Sequence, residues 1–167
     1  EIRNCDWSSD VCSSDLDLLL PSALENQLRE DNARDVRARM IVELANGPST
    51  PEADAIFAER GIPVLPDILA NAGGVTVSYY EWVQNIENEQ WDEGEVNAKL
   101  QRKMRRATDA VIDKQEEINA SLPDLEARCR EVTGTDRTLE PVDLRTAAYI
   151  LAVKRVAGVT LQRGIWP

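Results

Sequence analysis

Three short apolar runs, each closed by residues that turn the chain, constrain this sequence more than any other feature. Asp17 to Leu20 ends at Pro21, Arg39 to Leu44 ends at Asn46-Gly47-Pro48, and Ile62 to Leu65 ends at Pro66. Such runs with such borders read as strands. Between the first two, Ala23 to about Arg29 has room for a helical turn or two, followed by a polar connection around Asn32. Between the second and third a helix is better marked. Ser49 stands three residues before Glu52 as a capping box, Thr50 precedes Pro51 at the first helical position, and Gly61 follows Arg60 as a stop. Strand, helix, strand, helix, strand at this spacing implies right-handed crossovers and a parallel sheet. Ligands of such sheets gather at the loops beyond the carboxyl ends of the strands.

Three loops then converge: Pro21-Ser22-Ala23, Ala45-Asn46-Gly47 and Asn71-Ala72-Gly73-Gly74. The third is the richest. Gly73-Gly74 allows close approach to the backbone, and a helix is expected from Val75, whose first N–H groups lack intrahelical partners and favour a negative group by about 0.3–1 kcal/mol. Asn71 carries a donor and an acceptor on one planar amide, which suits another amide, and the Ser78 hydroxyl can donate to a carboxylate. Each loop taken alone is also what an ordinary turn looks like, with Asn71 as a cap and Ser78 facing water. Convergence is the stronger signal, because a dinucleotide is long enough to touch adjacent strand ends.

The remainder is helical. Val96, Leu100, Met104, Ala107, Val111 and Ile118 recur at spacings near four and seven, which predicts an amphipathic helix over Glu93 to Ser121, with the basic cluster Arg102 to Arg106 on its solvated face. Pro123 opens another helix that runs to Thr133 and stops at Gly134. Asp143 to Val159 is expected as a last helix, burying Leu144, Ala148, Leu151 and Val159. Three strands are few for so much helix, so the sheet reads as the later part of a doubly wound domain whose earlier strands precede Asp17. No G-x-G-x-x-G and no P-loop pattern is present.

Composition excludes more than it selects. The formal charge of −11 and the lack of a basic stripe argue against a nucleic-acid partner. No apolar run approaches the roughly 18 residues of a membrane span. With no histidine, the usual zinc sites and Ser-His-Asp systems lose their commonest member. Residues 1–16, EIRNCDWSSDVCSSDL, lack either periodicity, and DWSSDVCSSDL resembles the in-frame translation of a common short-read sequencing adapter. They are expected to be an artefact and disordered. Without them acidic residues fall from 30 to 26 and basic residues from 19 to 18, leaving −8, and Cys129 alone remains of three cysteines. One cysteine in an acidic chain fits a reducing, cytoplasmic compartment. The organisation expected is residues 1–16 foreign, 17–92 a partial dinucleotide-binding domain, and 93–167 a helical region.

LLLPSALEN (Leu18 to Asn26), ELANGPSTPEAD (Glu43 to Asp54), LPDILANAGGVTVSYYEWVQN (Leu65 to Asn85), DLRTAAYILAVKRVA (Asp143 to Ala157) and the ending RGIWP together resemble the C-terminal part of the glutamate, leucine, phenylalanine and valine dehydrogenases, glutamate dehydrogenase above all. The resemblance implies an α/β fold, the C-terminal part of a Rossmann-like domain with a short parallel sheet, followed by long helices. It also implies reversible oxidative deamination of L-glutamate to 2-oxoglutarate and ammonia with NAD or NADP, in a homo-oligomer, typically a hexamer. By resemblance Ala23, Asn46 and Asn71 bind the cofactor, Val75 and Ser78 the substrate. The catalytic lysine and aspartate, and the position that selects NAD or NADP, belong to parts outside this chain. None of Lys99, Lys103, Lys114 and Lys154 takes the lysine's place, so the isolated chain is expected to be inactive and only partly stable. Two alternatives stay open: an apolar amino-acid dehydrogenase, and a non-catalytic α/β and helical interaction module.

Overall fold

A computed structural model describes residues 16–164. The expectation for residues 1–16 falls outside them except at Leu16, as do the last three residues of RGIWP. The elements are β1 (Leu18–Leu19), β2 (Met40–Val42), α1 (Pro51–Glu59), β3 (Val64–Leu65), α2 (Asp67–Ala70), α3 (Ala72–Glu87), α4 (Glu93–Ala120), α5 (Leu122–Thr133) and α6 (Leu144–Arg163). The strands form one parallel sheet in the order β1-β2-β3, with Leu18 beside Met40 and Ile41 beside Val64. The α/β class with a short parallel sheet followed by long helices is therefore observed. The described residues divide into two compact units, one up to Leu100 and the other from Gln101.

In the first unit the core forms where β2 and α1 meet the β1–β2 connection. Leu28, Ala33, Val36, Ala38, Ile41, Ala53, Ile56 and Phe57 are buried together, with Leu19, Ile62 and Val64 packed against them. Every third or fourth residue of α1 points inward, as its amphipathic spacing requires. The expected helix at Ala23 to Arg29 is absent. Asn26 takes a left-handed φ of 53° there. The backbone N–H groups of Asn26 and Leu28 donate to Gly47 and Pro48, and that of Thr50 donates to Leu28. Long-range partners thus satisfy the groups a helix would have used. What helix the connection has is one 3-10 turn, Ala33–Asp35.

The capping box also shifts. Pro51 fixes Thr50 as the cap, and the Thr50 hydroxyl accepts from the Ala53 N–H at 3.3 Å. Ser49 lies one residue too early, and its buried hydroxyl has no hydrogen-bond partner among the described residues. At the far end Gly61, with φ 67°, closes α1 in the left-handed conformation that favours glycine.

A further correction concerns the glycine pair. Gly73 and Gly74 are not in a loop before a helix that starts at Val75; they lie in the first turn of α3, which starts at Ala72. Neither has a positive φ. Asn71 ends α2 at φ −95°, ψ 0° and serves at once as the residue before α3. Beyond α3, Asn88 stops the helix at φ 53°, and Lys99 in the first turns of α4 lies 3.0 Å above the Trp91 ring.

The second unit holds the rest of α4, then α5 and α6. Val111 is buried on α4, and the Asn119 side chain both donates to and accepts from the Val142 backbone, at 3.2 and 2.8 Å. Asp143 caps α6 by accepting from the Thr146 N–H at 2.7 Å, and Gly134 ends α5 at φ 69°. The α6 burial expected from the sequence is met only at its start. Ala147 and Ala148 are buried, whereas Val159 is half exposed and α6 runs on to Arg163.

Candidate functional site

The three loops at the carboxyl edge of the sheet are joined by hydrogen bonds. The Pro21 carbonyl, after β1, accepts from the N–H groups of both Leu44 and Ala45, at 3.0 and 2.8 Å. The Gly47 N–H, after β2, donates to Asp67 Oδ2 at 2.8 Å, and the Asp67 N–H donates to Glu43 Oε2 at 2.9 Å. Asn71 then reaches back from the third loop. Its Nδ2 donates to Asn46 Oδ1 at 2.7 Å and lies 3.5 Å from the Ala45 carbonyl.

Asn46 and Asn71 are thus brought into direct contact, 25 residues apart in sequence. Ala23 lies exposed in the first loop, whose Pro21 carbonyl is tied to the end of β2. Val75 and Ser78 follow Asn71 at helical spacing, so all three mark one face of α3. Both are exposed. The Ser78 hydroxyl donates to the Gly74 carbonyl at 3.3 Å, a long bond that a nearby carboxylate, as a charged acceptor, outcompetes.

The glycines acquire a different meaning once they are helical. A glycine inside a helix costs about 1 kcal/mol relative to alanine. A Cβ on Gly74 would meet nothing within 4 Å, and one on Gly73 only the end of Leu100 at 3.9 Å. The chain's own packing therefore does not require Gly74. The space above it, at the start of a helix with no acidic residue in its first turn, suits an approaching ligand.

Sequence reasoning missed the two carboxylates that hold these loops. Glu43 has no exposed surface at all. Its signal was present, a charged residue inside the otherwise apolar run Met40 to Leu44. Asp67, directly after Pro66, reads as a turn residue from sequence, and nothing local announces that it bonds to Gly47. No group of three or more His, Cys, Asp or Glu able to hold a metal occurs among the described residues. No helix among them is long and apolar enough to cross a membrane.

Comparison with known proteins identifies the family to which the chain is similar. The sequence profile of the family described as Glutamate/Leucine/Phenylalanine/Valine dehydrogenase matches residues 2–164, a span that takes in residues 2–16. The chain is 48% identical over 157 residues to NADP-specific glutamate dehydrogenase A1 of Halobacterium salinarum, covering 94% of this chain and 33% of that protein. It is 44% identical over 160 residues to glutamate dehydrogenase of Thermotoga maritima, covering 96% and 33%. Among solved structures, glutamate dehydrogenase from Peptoniphilus asaccharolyticus superposes with a TM-score of 0.71 at 38% identity, over 88% of this chain and 32% of that one. Hetero-hexameric glutamate dehydrogenase from Thermus thermophilus, in its leucine-bound form, gives 0.72 at 33% identity, over 90% and 31%. The chain spans about a third of the length of the relatives it matches.

Proposed function

This chain belongs to the Glutamate/Leucine/Phenylalanine/Valine dehydrogenase family, and we propose that it supplies the nicotinamide-binding and substrate-carboxylate half of a glutamate dehydrogenase. The observation that carries the proposal is the 2.7 Å bond between the amides of Asn46 and Asn71, with Val75 and Ser78 one and two turns farther along the same helix. Relatives named as NADP-specific and as NAD-specific both match, so the cofactor is NAD or NADP. Bound here, that cofactor would supply the hydride acceptor for oxidation of L-glutamate, with uptake of water, to 2-oxoglutarate and ammonia, and the hydride donor for the reverse reaction.

The chain's own contribution is position and selectivity. Asn46 orients the Asn71 amide, and Asn71 presents its carbonyl oxygen to a carboxamide, which fixes which ring face meets the substrate. Ala23 borders the same edge from the first loop, where its small side chain leaves room for a ribose. Gly74 leaves the start of α3 open to the ring. Val75 packs against the aliphatic part of the substrate, and Ser78 turns from the Gly74 carbonyl to donate to the side-chain carboxylate. A carboxylate gives the Ser78 hydroxyl a stronger, charge-assisted acceptor than the Gly74 carbonyl, and an apolar side chain gives it none, so an apolar amino acid is disfavoured.

The catalytic lysine and aspartate are assigned to the part of the enzyme outside these residues, and the complete enzyme to a cytoplasmic homo-hexamer. In the complete enzyme, Ser78→Val lowers activity on glutamate far more than on norvaline or leucine; equal losses on all three would refute the Ser78 role. A complete enzyme that prefers leucine from the outset overturns the choice of glutamate. The 167-residue chain alone shows no glutamate-dependent cofactor reduction, and measurable reduction would remove the assignment of catalysis elsewhere. Residues 1–16 are assigned to adapter sequence; an unbroken natural reading frame on resequencing through the codon for Asp17 overturns that.

A further inference from the structure

Asp67 is bonded to the backbone next to Asn46 and to that of Asn71. Its N–H donates to the buried Glu43 carboxylate at 2.9 Å, and its carbonyl accepts from the Asn71 N–H at 3.1 Å. Its two carboxylate oxygens divide their work. Oδ1 accepts from the Ile68 N–H at 2.7 Å, which fixes the side-chain direction, and Oδ2 accepts from the Gly47 N–H at 2.8 Å. Gly47 immediately follows Asn46 and sits at φ 53°, in an exposed turn.

We propose that Asp67 is a positioning residue for the Asn46–Asn71 pair: its carboxylate holds the Asn46-Gly47 turn where Asn46 can accept from Asn71, and Glu43 holds Asp67. This rests on the function proposed above, in which that pair faces the nicotinamide. An exposed glycine turn has many conformations and loses entropy when held in one. A bond from a backbone N–H to an ionised carboxylate is about twice as strong as a neutral one, which suits it to the task. Glu43 has its own reason to be there. A buried carboxylate needs donors, and the Asp67 N–H supplies one from the neighbouring loop. The contact between the amides is thus the last bond of a chain that runs from the sheet interior outward through Glu43, Asp67 and Gly47.

The test uses NMR of the 167-residue chain and of two variants, with the Phe57 and Ile41 core signals reporting that each is folded. Water exchange of the Asn71 side-chain NH2 reports the amide contact without any ligand. Asp67→Ala raises that exchange roughly tenfold, the factor one net hydrogen bond supports. Asp67→Asn, with one acceptor oxygen for two N–H donors, raises it less. Nicotinamide mononucleotide shifts the Asn46 and Asn71 side-chain signals in the unaltered chain, and that shift shrinks in step with the exchange. Unchanged exchange in both variants, with core signals intact, overturns the proposal. If Asp67→Ala loses its core signals, Asp67→Asn decides alone, a rise in exchange supporting the role and no rise refuting it. If the mononucleotide leaves both asparagines of the unaltered chain unmoved, the nicotinamide assignment fails, while the exchange rates still judge whether Asp67 sets the pair.

Discussion

The part of the chain from β1 to α2 and the helices that follow it hide their apolar side chains in opposite ways. Leu28, Ala33, Ile41, Ala53 and Phe57 have no exposed surface. In α3 and α5 no residue is buried, and Val75, Leu161 and Val132 are 71%, 77% and 83% exposed. The first region is held by a closed core. Much of the apolar surface of the second is unburied, so its helices depend more on length, caps and backbone bonds. Asn46, Gly47 and Asp67 are tied by hydrogen bonds to the end of β2 and to Glu43 in the closed region, whereas Val75 and Ser78 on α3 are exposed.

The sharpest way to break this contrast is to truncate one large side chain in each region. Phe57→Ala should lower stability by about 3–5 kcal/mol, as for other buried aromatics, because the cavity has no solvent to fill it. Leu161→Ala should stay within about 0.5 kcal/mol. Urea unfolding followed by circular dichroism measures both. Comparable losses would mean that Leu161 is covered in solution and that the two regions are not different in kind.

Caps sharpen the same contrast at a smaller scale. Thr50→Ala and Asp143→Ala each remove one side-chain acceptor from a helix start, at a cost of about 1 kcal/mol. Because α1 is part of the core, loss of the Thr50 cap should appear in global unfolding. Loss of the Asp143 cap should appear as faster amide exchange over the first turn of α6 alone. If Asp143→Ala lowers global stability as much as Thr50→Ala, then α6 unfolds with the core and the distinction is lost.

The same division decides what could be read from sequence. Strands were legible because Pro21, Asn46-Gly47-Pro48 and Pro66 end them chemically, wherever the rest of the chain goes. The long helices were legible because a period near 3.6 persists over many turns and because Pro123, Gly134 and Asp143 have local geometric roles. The stretch Ala23 to Arg29 was not legible. Its backbone bonds go to residues 47–50, and helix propensity carries no information about partners twenty residues away. The Gly-Gly pair misled for the converse reason, since glycine at a helix start permits a loop without requiring one. At the site, Asn46, Asn71 and Ser78 declared themselves by their functional groups, whereas Glu43 showed only as a charge inside an apolar run and Asp67 only as a turn residue, because the bond between them is a tertiary one. Val159 looked buried because periodicity marks a helix's apolar face but says nothing of whether that face is covered.

Gly74 offers a prediction in which fold and function part company. A Cβ there meets no atom of the chain. Gly74→Ala should therefore stabilise α3 by up to about 1 kcal/mol. The same methyl occupies the space assigned to the nicotinamide, so the mononucleotide shift at Asn71 should weaken. Destabilisation instead would show that the fold itself requires the glycine and would remove one support for the binding role.

The smallest expected effect is in pH, and it too separates the regions. Glu52, at the start of α1, has its carboxyl lowered first by its own backbone N–H and then by the Thr50 hydroxyl. Glu117 on α4 has its carboxyl lowered chiefly by a hydrogen bond from Lys114, then by that ammonium's charge. Both folded values lie below the ordinary glutamate value. The stability they contribute is therefore complete above the ordinary value and is lost as pH falls through the lowered one. Carboxyl carbon titration by NMR distinguishes the causes. Added salt should move Glu117 part of the way back toward its ordinary value, because Glu117 itself is exposed and the Lys114 charge acting on it is screened from that side, and should leave Glu52 nearly where it is. Thr50→Ala should return Glu52 only partway, since the larger backbone contribution survives, and should leave Glu117 unchanged. A Glu52 that responds to salt as strongly as Glu117 would mean that charge, not the capped geometry of α1, sets its titration.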